Sequence, residues 1–88
     1  MSLIEEIKKA MEKKKLVIGS NNTIKLLKNN SLSKVIIAKN CDKTVVDEIE
    51  KYKGETEVVI FSGSNMDLGT VCRRPHSISA LGIKKGED

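Results

Sequence analysis

The chain of 88 residues has few aromatic side chains, with no tryptophan, one phenylalanine and one tyrosine. The core of its fold must therefore be aliphatic. It contains no apolar run long enough to cross a bilayer and no signal-peptide pattern, so we expect a protein without a membrane partner. Its two cysteines, Cys41 and Cys72, fit no framework of secreted disulfides and are predicted to be free thiols in a reducing cytoplasm.

Sequence patterns for catalysis and for cofactors are also missing. The chain has neither the GxxxxGK phosphate loop nor the GxGxxG dinucleotide motif. Cys72 and His76 could form a nucleophile pair, but no acid is placed to orient the histidine. Together with Cys41 they show metal-like spacing, yet this set falls short of a structural zinc site. We therefore expect no enzyme, no catalytic residue, no cofactor and no metal.

The charged residues are unevenly distributed along the chain, whose formal net charge is +4. Residues 16–40 contain four lysines and no acid, whereas residues 41–60 contain six acids and three lysines. A second basic position is the pair Arg73 and Arg74. This distribution predicts one positive face, which would attract a polyanion such as RNA or DNA. The alternative is that the lysines only keep a small basic protein soluble.

Helical and strand patterns alternate along the chain, which at this length is predicted to be a single domain of residues 1–88. Apolar residues recur at helical spacing in four segments, near residues 3–11, 24–27, 45–52 and 64–71. Short apolar runs predict strands at residues 16–18, 35–38 and 58–61, with a last strand at residues 78–83. Buried strands separated by helices predict an α/β fold, a three-layer α/β/α sandwich around a four-stranded mixed sheet.

The second predicted helix differs from the others at its N-terminus. Because the first helical turn carries free N–H groups and a partial positive charge, an acid is normally favourable there. The other helices each have one at capping-box spacing, in the pairs Ser2–Glu5, Thr44–Asp47 and Ser64–Asp67. The second helix has Asn21, Asn22 and then Lys25, which predicts an end open to an external anion such as nucleic-acid phosphate. Alternatively, the asparagines are only helix caps, and Gly19 is only a turn glycine.

Two motifs in the chain resemble those of a known family. Residues 19–25, Gly-Ser-Asn-Asn-Thr-Ile-Lys, resemble the strand-to-helix signature of the kink-turn RNA-binding ribosomal protein superfamily. Residues 68–70, Leu-Gly-Thr, and residues 74–81, Arg-Pro-His-Ser-Ile-Ser-Ala-Leu, resemble its second signature. The Leu-Gly-Thr and Arg-Pro-His sequences are most similar to the branch of archaeal large-subunit ribosomal protein thirty-e. The resemblance covers roughly residues 3–84.

This resemblance implies how the chain would bind RNA. Members of the superfamily clasp an RNA helix at a sharp internal-loop bend that is flanked by sheared G·A pairs. The N-terminal end of the second helix enters the groove, and the loop before the last strand packs on an extruded nucleotide. Carried over to this chain, the resemblance assigns RNA contacts to Gly19, Ser20, Asn21, Asn22, Lys25, Lys28, Asn40, Arg73, Arg74, Pro75 and His76.

The assigned residues have different implied roles. Gly19 lets the backbone approach closely, and Asn21 and Asn22 would bond base edges or sugar hydroxyls. Lys25 would contact a guanine or a phosphate. Residues 72–76 would form the loop cap, in which the proline and the histidine offer apolar or stacking surface. Reading of splayed nucleotides by stacking and base edges is typical of RNA recognition.

Two positions depart from the family pattern. Asn22 stands where relatives of the guide-RNA branch carry glutamate, and its amide can both donate and accept hydrogen bonds without a charge. Arg73 stands where the thirty-e branch usually has glycine. Its side chain could add a charge-assisted phosphate bond. Alternatively, it occupies a backbone position of positive φ, where a non-glycine residue is strained.

These observations together predict an archaeal RNA-binding structural protein of the large ribosomal subunit. Its partners would be a kink-turn or internal loop of ribosomal RNA and neighbouring ribosomal proteins, and the free protein would be monomeric in the cytoplasm. One alternative is a kink-turn adaptor in guide-RNA or RNase P particles. Another is a protein-interaction domain that kept the sandwich and lost RNA binding, although such a domain would need neither an open helix end nor a basic loop.

Overall fold

A computed structural model describes residues 3–85, which form four helices and four strands in strict alternation. The elements are α1 (Leu3–Glu12), β1 (Leu16–Ile18), α2 (Ser20–Lys28), β2 (Leu32–Ile37), α3 (Lys43–Tyr52), β3 (Glu57–Ile60), α4 (Asn65–Val71) and β4 (Ala80–Lys84). The predicted order is confirmed. The expected cap Ser2 lies outside the described residues. Within residues 3–85, no helix has the length and apolar character that crossing a membrane requires.

The four strands form one mixed sheet in the order β1-β4-β2-β3. β4 runs antiparallel to both of its neighbours, while β2 and β3 are parallel. Consequently, β1, β2 and β3 all end at one edge of the sheet, where β4 begins. We call this the carboxyl edge, and the opposite edge, where β4 ends, the amino edge. The loops that follow β1, β2 and β3 and the loop that precedes β4 therefore all lie at the carboxyl edge. Segments that are distant in sequence meet there.

Helices cover both faces of the sheet, as the three-layer prediction requires. On one face, α1 and α4 pack Ile7 and Leu68 against the strand residues Ile36 and Leu81. On the other face, α2 and α3 pack against a second cluster that contains Leu27, Val35, Ile37 and Ile49. Neighbouring residues of β2 alternate between the two clusters because successive side chains of a strand point to opposite faces. The buried residues of the two clusters are aliphatic, except for Phe61 and Cys72 in the first cluster.

The strands differ from the sequence prediction in their limits and in one exposure. β2 begins at Leu32, before the apolar run, and Ile78 is buried just before β4 rather than within it. The run at residues 58–61 was predicted to be buried, but Ile60 is 66% exposed. The reason is the strand order: β3 pairs only with β2 and forms the edge of the sheet, so its flank is open.

All four helices end in the same backbone arrangement. The second residue after each helix has a positive φ, at Lys14 (57°), Asn30 (57°), Gly54 (53°) and Arg73 (58°). After α4, Arg73 N–H donates to the Thr70 carbonyl at 3.0 Å, and the next N–H donates to the Gly69 carbonyl at 2.9 Å. These two bonds define a Schellman motif, whose left-handed position favours glycine. Of the four helices, only α3 has glycine there.

We expect Arg73→Gly to raise the free energy of unfolding by about 1 kcal/mol, because glycine adopts this conformation without a clash of its Cβ atom. Lys14→Gly provides a matched comparison, since Lys14 has nearly the same φ at the end of α1. Urea denaturation of both variants checks the prediction. A gain for Lys14→Gly alone would show instead that contacts of the Arg73 side chain offset the backbone strain.

Candidate nucleic-acid interface

The N-terminus of α2 has no side-chain cap. Its N-cap residue is Gly19, with φ 102° and ψ 141°, a conformation that favours glycine. Thr23 N–H donates the first helical hydrogen bond to the Gly19 carbonyl, at 3.0 Å. The alternative that Asn21 or Asn22 caps this helix is wrong because the helix already begins at Ser20. The Asn22 amide instead donates to the Ile18 carbonyl at 3.3 Å.

The N-terminus of α3 is capped differently from the prediction. Asp42 is the N-cap, and its carboxylate accepts from Thr44 N–H at 3.3 Å. The predicted pair of Thr44 and Asp47 is therefore wrong, because the acid directly before the helix takes the capping position. The predicted capping box of α4 is confirmed, since Ser64 and Asp67 each accept a backbone hydrogen bond from the other.

The contrast between α2 and the other described helices nevertheless holds. α1 has two glutamates in its first turn, α3 has Asp42 as its cap, and α4 has Asp67 in its first turn. α2 has no acid in its first turn and two lysines in its last. Because unpaired N–H groups and the helix dipole leave a helix start positive, this end of α2 is suited to an anion.

Two hollows extend along the flanks of α2 from this end. A groove of about 420 Å³ between α2 and α3 is lined by Asn21, Ile24, Lys25, Lys28, Thr44, Val45 and Glu48. A second hollow, of about 410 Å³, is lined by Leu16, Val17, Ile18, Asn22, Lys25, Leu26 and Lys84. Lys25 contributes to both, so one cation serves both flanks of the helix. Lys28 points its ammonium at the Tyr52 ring, 4.7 Å from the centroid, which gives it a contact within the protein.

The loop between α4 and β4 lies at the same edge as the start of α2. Gly19 N–H donates to the Ala80 carbonyl at 3.1 Å, which ties the helix start to the first residue of β4. Residues 73–77 are exposed, whereas Ile78 is buried and donates its N–H to the Asn65 carbonyl at 3.0 Å. Two neighbouring segments therefore contain predicted contact residues: the start of α2 contains Ser20, and the loop before β4 contains Arg74, Pro75 and His76.

Gly69 fixes the path of this loop, a role that the sequence analysis missed. A Cβ atom built on Gly69 would collide with the carbonyl oxygen of His76 and would lie 3.2 Å from its carbonyl carbon. The helix and the loop backbone can approach this closely only because residue 69 has no side chain. The Leu-Gly-Thr motif contained the glycine, but nothing local in the sequence indicated which backbone it would meet.

Two of the predicted contact residues have other surroundings. Asn40 lies at the carboxyl edge, but its side chain bonds Asn65: its Oδ1 accepts from Asn65 N–H at 2.8 Å, and its amide donates to Asn65 Oδ1 at 3.3 Å. Arg73 lines a separate hollow of about 270 Å³ with Lys8, Met11 and Glu12 of α1. The structure therefore groups Arg73 with α1 and not with the groove beside Lys25.

The two cysteines are free, and their surroundings favour the thiol form. Burial raises the pKa of Cys41, and the nearby charge of Asp42 raises it further. Burial also raises the pKa of Cys72, although the positive charge of Arg74 opposes the change. Across the part of the chain that the structure describes, no three His, Cys, Asp or Glu side chains are grouped so that they could hold a metal ion.

The sequence is similar to those of known ribosomal proteins. Large ribosomal subunit protein eL30 of Methanopyrus kandleri is 40% identical over 80 residues, which cover 89% of this chain and 73% of that protein. The eL30 protein of Archaeoglobus fulgidus is 36% identical over 66 residues, covering 75% of this chain and 74% of its own.

The fold is also similar to that of a protein with a more distant sequence. A solved structure described as the Giardia lamblia 15.5kD RNA binding protein superposes with a TM-score of 0.82 at 22% identity, covering 97% of this chain and 72% of that chain. That likeness establishes a shared fold. The model of one protein family matches residues 1–88 of the sequence. On this match and on the identities above, the chain belongs to the ribosomal protein L7Ae/L30e/S12e/Gadd45 family.

Proposed function

We propose that this chain binds a kink-turn-like bend of ribosomal RNA with the N-terminus of α2 and the exposed loop of residues 74–77. The observation that carries the proposal is the uncapped, acid-free start of α2, with its exposed asparagines and lysine beside an exposed basic loop. The family and the eL30 relatives make the chain a ribosomal, RNA-binding protein of the large subunit in the cytoplasm, and not an enzyme.

The start of α2 would recognise the RNA through both its backbone and its side chains. The N–H groups of Ser20, Asn21 and Asn22 precede the first helical hydrogen bond and have no acceptor within the helix, so they would donate to the RNA. The two asparagine amides would bond base edges or sugar hydroxyls, since each amide both donates and accepts. Lys25 would add the charge that a phosphate or a guanine requires, and Gly19 keeps the approach free of a side chain.

The loop of residues 74–77 would supply the second RNA-binding segment. Arg74 would contact phosphate, while Pro75 and His76 offer a flat surface on which an extruded nucleotide can stack. Gly69 holds this loop against α4, so the loop is supported before RNA arrives. The whole of residues 1–88 would act as a single RNA-binding domain, monomeric when free, with neighbouring ribosomal proteins as its further partners.

Binding of the RNA should depend steeply on salt, because phosphate contacts release counterions. A handful of contacts predicts a slope of about −3 to −5 in a plot of log affinity against log salt concentration. Fluorescence anisotropy with a labelled kink-turn hairpin measures this slope. A hairpin whose G·A pairs are replaced by Watson–Crick pairs is the control, and it should bind more weakly at every salt concentration. A flat dependence would remove the electrostatic part of the proposal, and equal binding of both hairpins would remove the kink-turn part.

Arg73→Gly should leave affinity for the hairpin unchanged, because Arg73 lines the hollow beside α1. Combined with the expected gain in stability, this outcome would assign Arg73 to the strained backbone position of α4 and not to the RNA contacts. Weaker binding with a smaller salt slope would restore Arg73 as a phosphate contact.

The same hairpin assay distinguishes the alternative functions. A protein-interaction domain without RNA binding would show no preference between the two hairpins. An adaptor of guide-RNA or RNase P particles would bind guide RNA kink-turns in preference to those of ribosomal RNA.

A further inference from the structure

A basic concavity lies at the amino edge of the sheet, opposite the start of α2. It encloses about 360 Å³ and is lined by Glu6, Lys9, Ala10, Lys13, Lys15, Ser33, Lys34, Ile83 and Lys84. The five lysines outnumber the single glutamate in this lining, which makes the concavity strongly basic. The sequence predicted a single positive face. This second basic surface shows that the positive charge is not confined to one face.

Among the residues 3–85 that line this concavity, the one acid, Glu6, is paired with Lys34. Lys34 Nζ donates to both carboxylate oxygens of Glu6, at 2.8 and 3.1 Å, and Glu57 lies 4.0 Å away. The Lys34 side chain is only 17% exposed, so this pair forms a fixed part of the wall. Three other lining lysines, Lys9, Lys13 and Lys84, are exposed.

The dipole of α1 accounts for only part of this cluster. Lysines near a helix C-terminus are stabilised by the negative end of the dipole, which suffices for Lys9 and Lys13. However, Lys15, Lys34 and Lys84 come from the segment before β1, from β2 and from β4. Lys34 is compensated by Glu6, but Lys84 is exposed together with Lys9 and Lys13 around the same hollow, and a bound polyanion would offset the repulsion among these three.

We propose that this concavity binds the phosphate backbone of a second RNA segment while the carboxyl edge holds the kink-turn. The proposal that the protein joins two RNA segments rests on the proposed function above, whereas the second binding site rests on the lysine cluster alone. The molecule measures 34 × 28 × 21 Å, so RNA segments at opposite edges of the sheet can be bound together. Phosphate backbone suits the cluster because only Ala10 and Ile83 line it with apolar side chains, too few to hold those of an acidic peptide.

The test uses the full chain saturated with the kink-turn hairpin. A 12-base-pair RNA duplex without an internal loop, labelled with a second dye, is then titrated in, and its anisotropy is read. We expect the loaded protein to bind the duplex. In Lys9→Gln/Lys13→Gln, affinity for the duplex should fall roughly tenfold and its salt slope by about 2, one for each lost phosphate contact. Hairpin affinity should be unchanged.

The matched control is Lys51→Gln/Lys53→Gln, which removes the same charge at the C-terminal end of α3. It should bind the duplex like the unaltered protein. Duplex binding that displaces the hairpin, or that falls equally in both double variants, would overturn the second site. So would tighter binding of a polyglutamate peptide than of the duplex, since the partner would then be an acidic protein. If the hairpin does not bind but the duplex does so through Lys9 and Lys13, the proposed function fails and the second site stands.

Discussion

Lys25→Ala should weaken binding of a kink-turn RNA by roughly 10- to 100-fold, because a charge-assisted hydrogen bond contributes about 1.5–3 kcal/mol. Lys25 is exposed on α2 and faces the hollows on both flanks of the helix. Its removal creates no cavity in the core, so the melting temperature should hardly change. Anisotropy with the labelled hairpin and a thermal melt of the same sample measure the two quantities.

Asn21→Ala should act in the same direction and also leave stability unchanged. The sequence alone suggested a loss of about 1 kcal/mol from a missing cap. In the structure Gly19 is the cap, and Asn21 is an exposed residue of the first turn, where alanine is well tolerated. Lys51→Ala, at an exposed position of α3, serves as the control and should bind normally. Normal RNA binding by both α2 variants would show that the open helix end is not the site.

The second large effect is expected from Gly69→Ala, which should lower the free energy of unfolding by about 1–3 kcal/mol. In an unobstructed helix this substitution stabilises by roughly 1 kcal/mol, so the sign itself is diagnostic. The added Cβ atom meets the backbone of His76, which cannot rotate away as a side chain could. For a domain of this size the melting temperature should fall by about 4–8 °C for each kcal/mol lost.

RNA binding should also weaken in Gly69→Ala, because a displaced loop no longer presents Pro75 and His76 beside α2. Met66→Ala is the control on the same helix, since Met66 is 67% exposed and its truncation should change the melting temperature little. If Gly69→Ala is as stable as the unaltered chain, the loop shifts to admit the Cβ atom with no loss in the free energy of unfolding. The close approach would then have no part in fixing the site.

The parts of the fold that sequence could predict are those set by near neighbours along the chain. Apolar periodicity located all four helices, and the Ser64–Asp67 capping box is a three-residue pattern that forms as expected. The exposure of Ile60 could not be predicted, because it depends on the position of β3 in the strand order. The pairing of Lys34 with Glu6 likewise joins β2 to α1 and has no local signal.

The candidate site divides in the same way. The acid-free start of α2 could be predicted because Gly19, the two asparagines and Lys25 lie close together in sequence, at one end of a single helix. Asn40 was predicted as an RNA contact, but its bond to Asn65 arises only when β2 and α4 meet at the carboxyl edge. For Arg73, the missing glycine of the family pattern already suggested a positive φ, and the structure has it at 58°.

The place of β4 has a consequence for the biosynthesis of this protein. β4 (Ala80–Lys84) follows the other three strands in sequence but lies between β1 and β2, which do not pair with each other. A nascent chain in which β4 has not yet been synthesised can join β2 to β3 but cannot attach β1 to the sheet, so the four-stranded sheet forms only after β4 emerges. Because Gly19 N–H donates to the Ala80 carbonyl, the start of α2 also reaches its final position in that step.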